Sequence, residues 1–194
     1  GFEWSGSAQI EVFEGATLAQ IGNTLKDKGI VASVDAFTKA ATENPDSQKI
    51  APGIYSMPLQ ISAERAISLL LDPASKVTKK VVIPEGKRAS WVLDTLSSQT
   101  GIPLADFQAA IKVPASIDLP DYAKGNVEGF LFPATYEFPP NATATTVLKT
   151  MVDKYLDVAD SLGLDAAAKA RGFSAYQILT VASLLEVEIG RAHV

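Results

Sequence analysis

At 194 residues the chain is long enough for one large domain or two small ones, and its formal net charge of −5 offers no basic face for phosphate backbones, which sets nucleic acid aside as a partner. A composition that is 47% hydrophobic and 20% charged suits a chain that buries a real core and excludes disorder. The absence of cysteine removes disulfides, thiol nucleophiles and thiolate metal sites together.

The opening, Gly1-Phe2-Glu3-Trp4-Ser5-Gly6-Ser7, lacks the charge-then-apolar order of a signal peptide, and no window reaches the roughly 18 apolar residues of a membrane span. It reads as a small-residue linker, so an anchor is expected upstream of Gly1. An internal repeat follows. Ile10-Glu11-Val12-Phe13-Glu14-Gly15 precedes Ile21 and Leu25, and 71 residues later Val81-Val82-Ile83-Pro84-Glu85-Gly86 precedes Val92 and Leu96. Each β-branched run ends at Glu-Gly, then apolar residues recur at helical spacing until a Gly-Ile pair, Gly29-Ile30 or Gly101-Ile102, stops the helix. A second helix is predicted over 34–41 and again over 104–111, with Asp35 and Asp106 in the first turn, where a carboxylate suits the helix dipole. Gly53 to Met57 reads as a strand, and Ser62 opens a helix carrying Ala66, Ile67, Leu69, Leu70 and Leu71 that Asp72-Pro73 ends. A boundary is expected between 75 and 80, with Lys79-Lys80 as a solvated strand edge.

The run Val127-Glu128-Gly129-Phe130-Leu131-Phe132-Pro133-Ala134-Thr135-Tyr136-Glu137-Phe138 predicts a strand that Pro133 interrupts, Phe130 and Phe132 alternating before it and Tyr136 and Phe138 after it. Four aromatics and two carboxylates there make either a sugar-stacking wall or a piece of core. Glu128, lying before a glycine amid apolar residues, must be solvated or held by a specific partner, so it is a candidate for substrate binding or for a structural hydrogen bond. Asn141 is the predicted cap of a helix running to Leu162, with Val147, Leu148, Met151, Val152, Tyr155, Leu156 and Ala159 on its buried side and Gly163 as its stop.

In the last element Ser174 and Gln177 make a capping box, and Phe173 can staple to Ile178. Ile178, Leu179, Val181, Ala182, Leu184, Leu185, Val187 and Ile189 leave almost no polar face, yet Glu186 and Glu188 sit among them. Carboxylates two apart on a helix point about 200° from each other, so they cannot form a close acid/base pair and each needs its own role. Glu186 shares a face with Ala182 and Ser183, small residues that leave room for a substrate, and apolar neighbours would raise its pKa as a general acid requires. A buried structural glutamate is the competing account.

Val127 to Tyr136 resembles the Leu-Glu-Gly-Tyr-Leu-Phe-Pro-Asp-Thr-Tyr signature of the MltG/YceG-like endolytic murein transglycosylases, departing from it at Val127 and Ala134. Ala182-Ser183-Leu184-Leu185-Glu186-Val187-Glu188 resembles that family's Ala-Ser-Ile-Val-Glu-Lys-Glu-Thr helix, departing at Val187 and Ile189. The resemblance implies an α+β chain: a LysM-like strand-helix-helix-strand module over 8–78, then the mixed α/β catalytic region over 79–194, which contains a second related unit over 81–113. It further implies Glu186 as the catalytic residue, with Glu128, Tyr136 and Glu188 binding substrate. The implied reaction cleaves the β-1,4 bond between N-acetylmuramic acid and N-acetylglucosamine inside nascent peptidoglycan strands and leaves 1,6-anhydro ends. The implied setting is the extracytoplasmic side of a cell membrane, reached through a single anchor upstream, with cell-wall synthesis proteins as further partners.

Neither a metal nor an organic cofactor is expected, since the chain offers one histidine, His193, and no glycine-rich phosphate loop. Family members continue beyond the equivalent of residue 194 with further strands and an Asp-Pro-Thr motif. The chain is therefore expected to be truncated within the catalytic region and idle alone. A non-catalytic peptidoglycan-binding module and a scaffold of the cell-wall machinery are the alternative readings.

Overall fold

In the computed structural model, which describes residues 6–164 and 177–180, both Glu-Gly runs lie at the ends of strands. The first, β1 (Ser7–Val12), pairs antiparallel with β2 (Gly53–Pro58), Ile10 opposite Tyr55. Between them α1 (Leu18–Asp27) opens with a capping box in which Thr17 and Gln20 satisfy each other's backbone N–H. It closes with Gly29 N–H on the Lys26 carbonyl and Ile30 N–H on that of Leu25, the bonding that tucks Ile30 under the last turn. Ser33 caps α2 (Val34–Glu43), and Ser62 caps α3 (Ala63–Leu71), which stops at Asp72-Pro73. Ile21, Leu25, Phe37, Ile67 and Leu70 pack against the inner face of the strand pair as one core.

The chain divides into compact units between Thr78 and Lys79, and the second repeats this architecture. It contains β3 (Lys79–Val82), α4 (Ala89–Thr100), α5 (Leu104–Ile111), β4 (Thr135–Phe138) and α6 (Ala144–Ser161). β3 and β4 pair antiparallel with Val81 opposite Tyr136. Each unit is thus β-α-α-β-α, so the repeat extends beyond the 81–113 span anticipated from sequence. Tyr55 and Tyr136 both donate their hydroxyl to a carbonyl four residues back, Ala51 and Phe132, at 2.5 Å, and a proline, Pro52 or Pro133, stands three residues before each. Ser62 and Thr143 cap corresponding helices, which bury Ala66, Ile67 and Leu70 in one and Val147, Leu148 and Met151 in the other. The spacing of equivalents is 71 from Ile10 to Val81 but 81 from Tyr55 to Tyr136, so the second unit holds about ten extra residues between α5 and β4. Its core joins Val81, Leu96, Phe107, Leu148 and Tyr155 with Ile178, which lies in the helical residues 177–180. The predicted cap at Ser174 and the helix around Glu186 and Glu188 lie outside the described residues.

Two expectations are corrected, the strand at Phe130 and Phe132 and the cap at Asn141. Residues 130–132 are not strand. Val127 to Phe130 is a tight turn closed by Phe130 N–H on the Val127 carbonyl at 3.0 Å, with Gly129 at φ +84°, a conformation that outweighs the aromatic alternation. Of the two readings of the four aromatics, a sugar-stacking wall or a piece of core, the structure shows the core, since they are at most 9% exposed. Phe130 packs 4.7 Å from the Tyr155 ring, and Tyr136 stacks on Phe138 at 5.5 Å. The cap of α6 is Thr143, in a box with Thr146, because Asn141 lies in a turn that Ala142 N–H closes onto the Pro139 carbonyl. Lys79 and Lys80 are exposed at the start of β3, as expected, and the Lys79 ammonium in addition donates to the carbonyl of Thr100, the last residue of α4, where a cation complements the dipole.

Burial holds the phenols of Tyr55, Tyr136 and Tyr155 above their ordinary 10.0, that of Tyr155 at about 12. Raised folded-state values mean stabilisation that is complete below about pH 10 and lost as pH climbs through the folded values. Urea unfolding across pH 8 to 12 is expected to show stability level at first and falling beyond about pH 10. Tyr136→Phe is expected to flatten that fall while costing about 1 kcal/mol at neutral pH.

Candidate functional site

The extra residues of the second unit return to one place, the turn between β3 and α4. The β3–β4 ladder ends where Ile83 donates to the Ala134 carbonyl at 3.0 Å, and Pro84 follows on the side facing away from β4, where a missing N–H costs the ladder nothing. Gly86, at φ +73°, then reverses the chain into Lys87, Arg88 and α4. Arg88 holds the cap position, and its carbonyl accepts from Val92 N–H, but its side chain caps no helix N–H. Glu128 takes over that task from 39 residues away: both its carboxylate oxygens accept from the Ala89 N–H, at 3.2 and 3.1 Å. The Asn126 side chain in turn accepts from the Glu128 N–H at 3.0 Å and so shapes the turn that presents it. An anionic group at this position complements the helix dipole.

A cleft of about 290 Å³ separates the β3–α4 turn from the inserted segment. Ile83, Val92 and Leu131 form an apolar floor, Pro84 and Pro133 stiffen its sides, and Lys87, Arg88 and Glu128 supply the polar groups. The Lys87 ammonium sits 4.9 Å from the centre of the Trp91 ring, which is 38% exposed. Among the described residues neither Lys87 nor Arg88 joins an ion pair. The site therefore combines two cations and a fixed carboxylate around an apolar floor, with Trp91 beside it, which can hold a polar ligand bearing a negative charge. Among the described residues no group of three or more His, Asp or Glu side chains is placed to hold a metal.

Of the residues proposed from sequence, Glu128 lines the cleft, exposed and bonded to α4. Tyr136 is in the core, its hydroxyl committed to Phe132, and it does not border the cleft. The two belong to one segment but not to one cavity. Glu186 and Glu188 fall outside the described residues. The sequence reading missed Lys87, Arg88 and Trp91, although one signal was present: aligning the repeats sets Arg88 against Thr17, a cap residue replaced by one that cannot cap. The first unit has its own concavity at the corresponding turn, about 520 Å³, bordered by Val12, Phe13, Gly15 and Gln20.

Glu128→Ala is expected to lower the stability of the second unit by about 1 kcal/mol, the usual range for a lost cap, whereas Glu128→Gln, which keeps one acceptor oxygen, should lose less. Chemical denaturation followed by Trp91 fluorescence would measure the difference.

Comparison with known proteins extends this local picture to the whole chain. An endolytic murein transglycosylase of Streptococcus pneumoniae R6 is 27% identical over 210 residues, which cover 92% of this chain and 36% of that protein. One from Bacillus subtilis 168 is 21% identical over 197 residues, covering 94% of this chain and 54% of the relative. The chain thus spans between about a third and about half the length of these relatives. The crystal structure of a yceG-like protein from Listeria monocytogenes aligns over 81% of this chain and 59% of its own, with 20% identity and a TM-score of 0.37. The sequence model of the YceG-like family matches residues 10–193, taking in both repeats, the inserted segment and Glu186, and on that extent of agreement the chain belongs to the YceG-like family.

Proposed function

We propose that this chain is part of an endolytic murein transglycosylase that cuts the β-1,4 bond between N-acetylmuramic acid and N-acetylglucosamine within nascent glycan strands. The observation that carries this reading is the reach of the family match, which runs from β1 through the Glu186 segment, together with relatives of that name aligning over more than nine-tenths of the chain. In the proposed reaction Glu186 protonates the glycosidic oxygen as the bond to the anomeric carbon breaks. Its carboxylate then takes the proton of the muramic C6 hydroxyl as that oxygen bonds to the same carbon. A 1,6-anhydro end results, and the glutamate regains its proton. Glycosidases that use water or a covalent intermediate need a second carboxyl group about 5 to 9.5 Å away, and an internal hydroxyl removes that need. Glu188 and Glu128 are assigned hydrogen bonds to the substrate, and Tyr136 the support of the segment that carries Glu128.

The first unit is read as a LysM-like module that engages the same strand, and the region as extracytoplasmic, tied to the cell membrane by an upstream anchor. A non-catalytic glycan-binding role is the second reading, favoured by the concavities at corresponding turns of the two units.

Glu186→Gln in the full-length protein is expected to reduce cleavage by roughly 10² to 10⁴ with unchanged circular dichroism, since the amide keeps the shape and loses the proton. Mass spectrometry of wild-type digests should find 1,6-anhydro-muramic ends. Predominantly reducing ends would show a hydrolase, and an active Gln variant would move the catalytic role elsewhere.

A further inference from the structure

We propose that the cleft at the β3–α4 turn is a carboxylate-binding subsite for the acidic side arms of a muramyl glycan strand, with Lys87 and Arg88 as its cations. The proposal rests on the glycan reading above and adds a place where the strand's charge is recognised.

The duplicated unit supplies an internal control. In the first copy the corresponding turn carries Ala16 and Thr17, and Thr17 caps its own helix. In the second copy those positions are Lys87 and Arg88, and the self-made cap is gone. A helix start that served the fold alone would favour a short polar cap, since arginine there satisfies no backbone group and brings a cation to the positive end of the dipole. The inserted segment compensates by delivering Glu128 to Ala89. That arrangement also leaves the basic pair available. The Glu128 carboxylate is directed to a backbone N–H, Glu85 in the same turn does not border the cleft, and neither Lys87 nor Arg88 is ion-paired among the described residues.

The helix terminus itself is occupied by Glu128, so an incoming anion meets side chains and not backbone amides. A guanidinium fork is matched to a carboxylate, and an ammonium beside it adds charge without fixed geometry. Trp91, 38% exposed and in contact with the Lys87 ammonium, stands next to that charge outside the cleft lining. A cleft of about 290 Å³ is at the lower end of ligand-pocket sizes and suits one side arm. Two sources share this chemistry: the lactyl acid of a peptide-free muramyl residue, and the carboxylates of a peptide attached to it.

The test uses the full-length protein carrying Glu186→Gln, with and without Lys87→Gln/Arg88→Gln, and measures binding to neutral chitin oligomers, peptide-free strands and peptide-bearing strands of matched length. The parent is expected to prefer one or both acidic strands over chitin. The double variant should lose that preference by roughly two- to tenfold while binding chitin unchanged, as befits two solvent-exposed charge contacts. Raising salt to 0.5 M should erase the preference in the parent in the same way. The strand whose advantage disappears identifies the source. Equal losses on acidic strands and chitin, unchanged acidic binding in the variant, or a parent with no acidic preference would each overturn the proposal. Cleavage by the protein with native Glu186, assayed separately, distinguishes the failures: strands cut without acidic preference would sink only the subsite, and preference without cutting would sink only the transglycosylase reading.

Discussion

The hydrogen-bonded ladder between β3 and β4, four residues long and continued by Ile83 N–H on the Ala134 carbonyl, places every functional feature of the second unit. Side chains alternate across a strand, so a slip of one residue would exchange buried for exposed positions throughout. With Val81 opposite Tyr136, both enter the core, and the segment leading into β4 is drawn alongside the turn leading out of β3. Tyr136 then fastens its own lead-in through the Phe132 carbonyl, and Phe130 anchors the preceding turn against Tyr155. Just ahead of those buried points Glu128 is held outward, toward the first N–H of α4. The aromatic signature thus acts as a clamp whose rings lie inside so that its carboxylate can stand outside.

The two units show what that clamp added. Both have the same strand register, the same tyrosine bond to a carbonyl four residues back and corresponding caps on the last helix. They differ where the second carries its extra residues and where Thr17 gives way to Arg88. Both changes meet at one helix start, where Glu128 accepts from the first N–H of α4, that of Ala89, whereas Thr17 in the first copy accepts from an N–H two residues further along, that of Gln20. The cleft is therefore bounded on one side by a shared element and on the other by an element peculiar to the second copy.

Much of the fold was legible because its signals are local. The Gly29-Ile30 stop, the Ser62 cap and the break at Asp72-Pro73 each act within a few residues, and the structure shows all three. Local signals also misled where two competed. At Phe130 and Phe132 an alternation that suits a strand lost to the turn demanded by Gly129, and at Asn141 a good capping residue lost to Thr143, two positions along. The bond from Glu128 to Ala89 lay beyond such reasoning, because its partner is 39 residues away and is a backbone group that any residue would present. Reading Glu128 as either solvated or specifically held did frame the question correctly. Glu186 was reached by family resemblance, since the residues around it in sequence suit a buried structural acid better.

The position of the insertion has an entropic consequence. It lies in the connection between a helix and the strand that closes the sheet, residues 112–134 in the second unit against 44–52 in the first, the shorter α5 and later start of β4 adding to the insertion itself, so the closing segment is roughly two and a half times longer. For a flexible chain the closure penalty grows only with the logarithm of length, which for this ratio is about 0.8 kcal/mol. The bond at Ala89 and the burial of Phe130 are each of at least that order. A duplicated unit could therefore acquire a cleft wall at this connection with little net change in stability. The same extra length inserted within a strand or a helix would have broken the register on which both units depend.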